Sequence, residues 1–195
     1  MEMRRLLWGL AVITSLVWAN PALAQGPTEY IRGILDRVMA IQNNPALSRS
    51  ERGQEIHQII RANFDFSIMA KTVLGSSYDQ LNAGQRQEFN SVFSYLFQDS
   101  YTRMVLDFLK QENIEYGAAS RMDGKARVDT VIRRPNENIP VVYLLDNRAG
   151  WKMYDVIVDG VSILNTYKEK FSEVMRTKGF DYIIERMKEQ RRALE

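Results

Sequence analysis

The chain has 195 residues, 26 Lys+Arg against 24 Asp+Glu, 45% hydrophobic residues, nine Met and no Cys. That length fits one domain at about 100–200 residues each, and the ordinary apolar fraction excludes both wholesale disorder and a polytopic membrane protein. The balanced charge lacks the basic excess of a nucleic-acid binder, and the absence of thiols excludes disulfides, thiolate metal sites and cysteine nucleophiles.

Arg4 and Arg5 precede the apolar run Leu6–Ala19, which is followed by Asn20-Pro21 and then Ala22-Leu23-Ala24. A basic start, a short apolar stretch and a small-x-small end read as a secretory signal, with cleavage expected after Ala24. The run is shorter than the roughly 20 residues of a membrane-spanning helix. Residues 1–24 are thus expected to be a signal peptide, and residues 25–195 a single exported domain.

Helical periodicity fills the first half of that domain. Thr28 is placed to cap a helix with the stripe Ile31, Ile34, Leu35, Val38 and Met39, ended by Asn43-Asn44-Pro45. Ser48 and Glu51 form a capping box for a second helix carrying Ile56, Ile59 and Ile60. Phe64-Asp65-Phe66 opens a short apolar helix that Gly75 closes. Asn82, with Gln85 in the capping position, opens the longest helix, predicted to run to about Gln111. Its apolar residues, from Phe89 through Phe93, Phe97, Tyr101 and Val105 to Leu109, repeat at i, i+3, i+4 and i+7 and require a broad apolar surface opposite.

The pattern then changes. Ile114–Tyr116, Ala126–Arg133, Ile139–Asp146 and Trp151–Asp159 are rich in β-branched and aromatic residues, and Asp123-Gly124 and other short turn signals separate them. Loops this short permit only antiparallel neighbours. Val128 and Ile132 alternate with Asp129 and Arg133, whereas Val141–Leu145 and Asp155–Val158 do not alternate, as in strands covered on both faces, or covered on one face with a cavity on the other. Two amphipathic helices, Asn165–Lys178 and one beginning at Phe180, finish the chain, with Gly179 between them. The expected fold is α+β: N-terminal helices on a curved antiparallel meander of about four strands, with C-terminal helices, enclosing an apolar cavity.

The catalytic inventory is thin. His57 is the sole histidine and flanks an Ile stripe, where it reads as a solvated or hydrogen-bonded side chain; no metal site and no catalytic set can be assembled around it. No Walker loop, G-x-G-x-x-G or G-x-S-x-G is present, so no nucleotide cofactor is implied. Asp155 sits within an apolar strand, on the face that simple alternation shares with Trp151, Met153 and Ile157. It is either the base or acid of an isomerase-like pocket or, as favoured here, a paired carboxylate that ties the strand down. No Arg/Lys cluster in the sequence suggests a dedicated phosphate clamp.

The ordered set Phe64-Asp65-Phe66, Met69-Ala70, Leu74-Gly75, Gln85-Arg86, Phe93, Tyr101, Val128 to Ile132, Val141 to Tyr143, Trp151-Lys152, Asp155-Val156, Asp159-Gly160-Val161-Ser162, Asn165, Tyr167 and Phe171 resembles the MlaC family. Its members are also called toluene-tolerance or ABC-transporter auxiliary periplasmic proteins. The likeness runs through essentially all of residues 25–195; Tyr78, Asn82 and Lys168 stand where the family commonly has Trp, Thr and Arg.

The resemblance implies a periplasmic carrier of phospholipid, with the lipid as cargo and no cofactor. Its implied partners are an MCE-domain/permease/ATPase complex of the inner membrane and a lipoprotein–porin complex of the outer membrane, and its role the upkeep of outer-membrane lipid asymmetry. A hopanoid is the alternative cargo. The unexplained apolar area of the long helix and of the strands Ile139–Asp146 and Trp151–Asp159 locates the acyl chains between them. Candidate lining residues are Phe66, Met69, Val73, Phe93, Phe97, Tyr101, Val105, Tyr143, Met153 and Val161. A lipid-sized cavity there would absorb a Trp ring at Phe97 or Val105 with little loss of stability.

Overall fold

The computed structural model describes residues 25–110 and 112–193; the expected signal peptide lies outside the described residues. Five helices come first: α1 (Pro27–Gln42), α2 (Arg49–Asn63), α3 (Phe66–Leu74), the single turn α4 (Ser76–Gln80) and α5 (Ala83–Phe108). The strands β1 (Asn113–Met122), β2 (Lys125–Arg134), β3 (Glu137–Asp146), β4 (Lys152–Val158) and the short β5 (Val161–Ser162) follow, and then α6 (Ile163–Lys178) and α7 (Phe180–Arg192). The fold is α+β, with one antiparallel sheet in the order β1-β2-β3-β4-β5.

Local chemistry accounts for most element ends. Both capping boxes form, Ser48 with Glu51 and Asn82 with Gln85, each side chain bonding the other's backbone N–H. Asp65 caps α3 through the Ile68 amide at 2.9 Å. The cap of α1 is Gly26 rather than Thr28, because Pro27 takes the first helical position, where its missing N–H costs nothing. The longest helix stops at Phe108, three residues short of the expected Gln111. At Asp123-Gly124 and Asp159-Gly160 both residues have positive φ, the mirror-image turn whose twist matches a tight hairpin. The second of these hairpins creates β5, which no run of apolar residues signals.

β1 extends well past the expected Tyr116. Its irregular pairing between Tyr116 and Ala119 interrupts the side-chain alternation, so the Gly117–Met122 half shows no two-residue pattern. In β2 the alternation holds, with Val128, Thr130 and Ile132 buried. In β3, Val141, Val142, Tyr143 and Leu145 are all buried, as expected of a strand covered on both faces.

The helical layer lies on the sheet through α1 against β1 and β2, α3 against β4, and α6 against β4 and β5. The link from α2 to α3 also touches the sheet directly: Phe64 makes a parallel bridge to Met153, and the Asp65 amide donates to the Met153 carbonyl at 2.8 Å. Among the described residues no helix is long and apolar enough to cross a membrane.

Candidate functional site

The interior between α1, α2, α5 and the sheet holds two small apolar voids of about 30 Å³ each. The first is walled by Ile31, Ile34, Leu35 and Val38 of α1, by Ile56, Ile59 and Ile60 of α2, and by Phe64 and Met153. The second is walled by Met104 and Phe108 of α5 and by Ile132, Val141, Val156 and Val158 of the sheet. Tyr101, Val105, Leu109 and Tyr143 line both, so these side chains form the partition between two compartments of one apolar interior.

The partition carries no charge. Burial raises the Tyr143 phenol well above its ordinary pKa, with the neighbouring Tyr101 and Tyr116 adding to the effect. Tyr101 is likewise raised, by burial first and by the Asp155 charge second. Both phenols are therefore un-ionised at neutral pH. Thr130 Oγ1, beside Tyr143, donates to the Val141 carbonyl at 2.9 Å.

Two polar fasteners hold the C-terminal end of α5. Gln42, the last residue of α1, donates its side-chain amide to the Val105 carbonyl at 3.1 Å, to Leu106 at 3.3 Å and to Leu109. These carbonyls belong to the C-terminal turn of α5 and its cap residue Leu109; that of Val105 also accepts from the Leu109 amide at 3.0 Å. Arg134 of β2 donates to the Phe108 carbonyl at 2.5 Å and lies over the Phe108 ring at 4.5 Å. The end of α5 is thus tied to α1 on one side and to the sheet on the other.

Of the candidate lining residues, the structure brings Tyr101, Val105, Tyr143 and Met153 to the voids. Phe93 packs instead in an aromatic cluster with Phe89, Tyr167 and Phe171, between α5 and α6, and Phe97 bridges that cluster to the void-lining Phe64 and Tyr101, at ring separations of 5.3 and 5.4 Å. Phe66 adjoins the voids through Phe64 and Phe97, at ring separations of 6.2 and 6.0 Å. Met69 and Val73 are fully buried on α3, while Val161 is 62% exposed in β5. Sequence reasoning does not single out the α1 and α2 stripes as lining, because an Ile-rich helical face has the same signature whether it meets a core or a cavity.

Asp155 is a fastener. Its Oδ1 accepts from the Val156 amide at 2.8 Å and the Leu164 amide at 3.0 Å, and its Oδ2 from the Ser162 hydroxyl at 2.6 Å. Ser162 Oγ in turn accepts from the Asn165 amide at 2.9 Å and caps α6. The carboxylate therefore fixes where α6 leaves the sheet. The register slips between Leu144 and Leu145, leaving Tyr154 as an extra residue, so the simple alternation that grouped Asp155 with Met153 does not hold. His57 contacts Asp99 of α5 at 3.2 Å, half-exposed, on the outer side of α2. Among the described residues no group of three or more His, Asp or Glu is placed to hold a metal ion.

Comparisons with known proteins are consistent with one another. The family model described as MlaC protein matches residues 32–189. The toluene tolerance protein ttg2D of Pseudomonas putida is 25% identical over 181 residues, 89% of this chain and 84% of its own length. The intermembrane phospholipid transport system binding protein MlaC of Haemophilus influenzae is 26% identical over 190 residues, 91% of this chain and 88% of its own. The structure of a phospholipid-binding protein from Ralstonia solanacearum, in complex with a phospholipid, superposes with a TM-score of 0.72 at 22% identity. The match covers 84% of this chain and 96% of that one, and it shows a shared fold. The chain belongs to the MlaC family.

Proposed function

We propose that this protein is a carrier that takes up phospholipid by its acyl chains in the interior divided by Tyr101, Val105, Leu109 and Tyr143, and shuttles it across the periplasm. The observation that carries the reading is the pair of apolar compartments meeting at that partition. The phospholipid-binding and phospholipid-transport descriptions of two of its relatives support it.

The need for a carrier is energetic. Two acyl chains hold about 30 methylenes, at about 0.8 kcal/mol each roughly 25 kcal/mol of exposure in water. Their tails occupy roughly 900 Å³ at about 30 Å³ per carbon, against about 30 Å³ in each void. This conformation is therefore the closed one, and loading requires the helical layer to part from the sheet. The exchange is affordable because the walls are aliphatic: a side chain that parts from its neighbour meets an acyl chain of the same chemistry in its place. Closing fasteners at Gln42 and Arg134 set the cost of opening, and the carrier itself needs no nucleotide.

In this reading the chain is exported and exchanges lipid with an inner-membrane MCE-domain/permease/ATPase complex and an outer-membrane lipoprotein–porin complex, in the service of outer-membrane lipid asymmetry. No catalytic step is assigned, since the carboxylate that would serve as base accepts three hydrogen bonds from its own framework. The test is organic-solvent extraction and mass spectrometry of protein recovered from a periplasmic fraction. Near-stoichiometric diacyl phospholipid is the expected result. Hopanoid in its place changes the cargo, and protein that carries no lipid from that fraction refutes the reading.

A further inference from the structure

A second surface, on the outer side of the helical layer, has the makings of a binding site. α2, α5 and α7 enclose an open groove of about 1100 Å³, into which Arg49 and Arg61 of α2, Arg103 of α5 and Arg191 of α7 converge. These arginines are far apart in sequence, which is why no cluster is visible before folding. Two carboxylates also line it: Asp107, bonded to Arg49 at 2.5 Å, and Asp99, bonded to His57. Thr102 lines the floor, but its hydroxyl is buried beneath the groove surface, one helical turn from the equally buried Gln98 Oε1.

We infer that this groove binds an extended acidic polypeptide segment of a partner protein. The guanidinium forks suit carboxylates, which they can engage in pairs. Interspersed Asp99, Gln54 and Gln58 offer acceptors and donors to a peptide backbone. The groove is also elongated, bounded along α2, whose 15 residues span about 22 Å at 1.5 Å each. An extended peptide of about six or seven residues covers that length. The site lies outside the apolar interior, and the inference does not depend on the lipid reading.

The test is fluorescence anisotropy at low salt with a fluorescein-labelled peptide of alternating Glu and Ser, about six or seven residues long, beside a Lys-Ser control. The Glu-Ser peptide is expected to bind saturably, to weaken tenfold or more with Arg49→Glu/Arg61→Glu, and to weaken as salt rises. Arg61→Gln serves as the milder variant if the double reversal does not fold. Absence of saturable binding, equal binding of the Lys-Ser peptide, or full affinity in the charge-reversed protein overturns the inference. Co-sedimentation with anionic phospholipid vesicles that depends on Arg49 and Arg61, without peptide binding, also overturns it and makes the groove a membrane contact.

Discussion

Val105 borders both voids, and replacing it with Ile adds one methylene where about 30 Å³ is open on either side. Filling such a void with one buried methylene is worth about 0.8 kcal/mol. In a domain of this size that raises the melting temperature by about 2–3 °C. The gain applies only to the closed form, because in the loaded form the tails occupy that space. A stabilisation confined to the empty state must be overcome on binding, so lipid affinity should fall by about fourfold. The assay pairs calorimetry of delipidated protein with titration of a short-chain phospholipid. Higher stability with unchanged affinity would refute the reasoning, since the tails would then not displace what Val105 touches. Val105→Trp behaves differently: its ring exceeds both voids together, so it should cost about 1–3 kcal/mol by overpacking. The expectation that a lipid-sized cavity would absorb that ring fails for the closed form, in which the voids are far smaller than a lipid.

Gln42→Ala removes the amide that caps the end of α5, and should cost about 1–2 kcal/mol while speeding lipid exchange, read by transfer of a fluorescent phospholipid between vesicles. Phe93→Ala should cost about 3–5 kcal/mol in denaturant melts yet leave lipid stoichiometry of the folded protein unchanged, because its ring sits in the α5–α6 cluster and not at the voids. Asp155→Ala should cost about 3–5 kcal/mol by orphaning two buried amides, and Asp155→Asn about 1–2 kcal/mol, both without loss of lipid per folded molecule. Alkaline pH should unfold the protein: burial raises Tyr143 and Tyr101 and lifts Tyr30 to about 12. With folded values above unfolded ones, their stabilisation is complete below pH of about 10 and is lost as pH rises beyond it; Tyr143→Phe should shift that alkaline midpoint upward.

Much of this fold is legible in the sequence wherever a local rule acts alone. The Ser48–Glu51 and Asn82–Gln85 boxes, the Asp123-Gly124 turn and the helix stripes each state one structure, and each forms. What escapes notice is set by tertiary geometry. The second half of β1 hides behind a pairing irregularity, α4 is one turn with no stripe, and β5 exists through a two-residue hairpin. The candidate site is legible only in part for the same reason. Phe93 and Tyr101 share the α5 stripe, but a helix this long spans two neighbourhoods, the α6 cluster and the α1/α2 interior. Periodicity gives the face of a helix and not which partner covers each turn. The four converging arginines of the outer groove, drawn from three helices, have no linear signature at all.

The most direct measurement replaces Tyr101 with the photoreactive p-benzoylphenylalanine, and in a parallel protein Phe93, and irradiates each after loading with phospholipid. Intact-mass spectrometry then asks which protein gains the mass of a lipid. The account predicts a covalent phospholipid adduct at position 101, where both voids meet, and none at position 93, inside the α5–α6 cluster. An adduct at 93 with none at 101 would contradict it and move the acyl chains to the other side of α5.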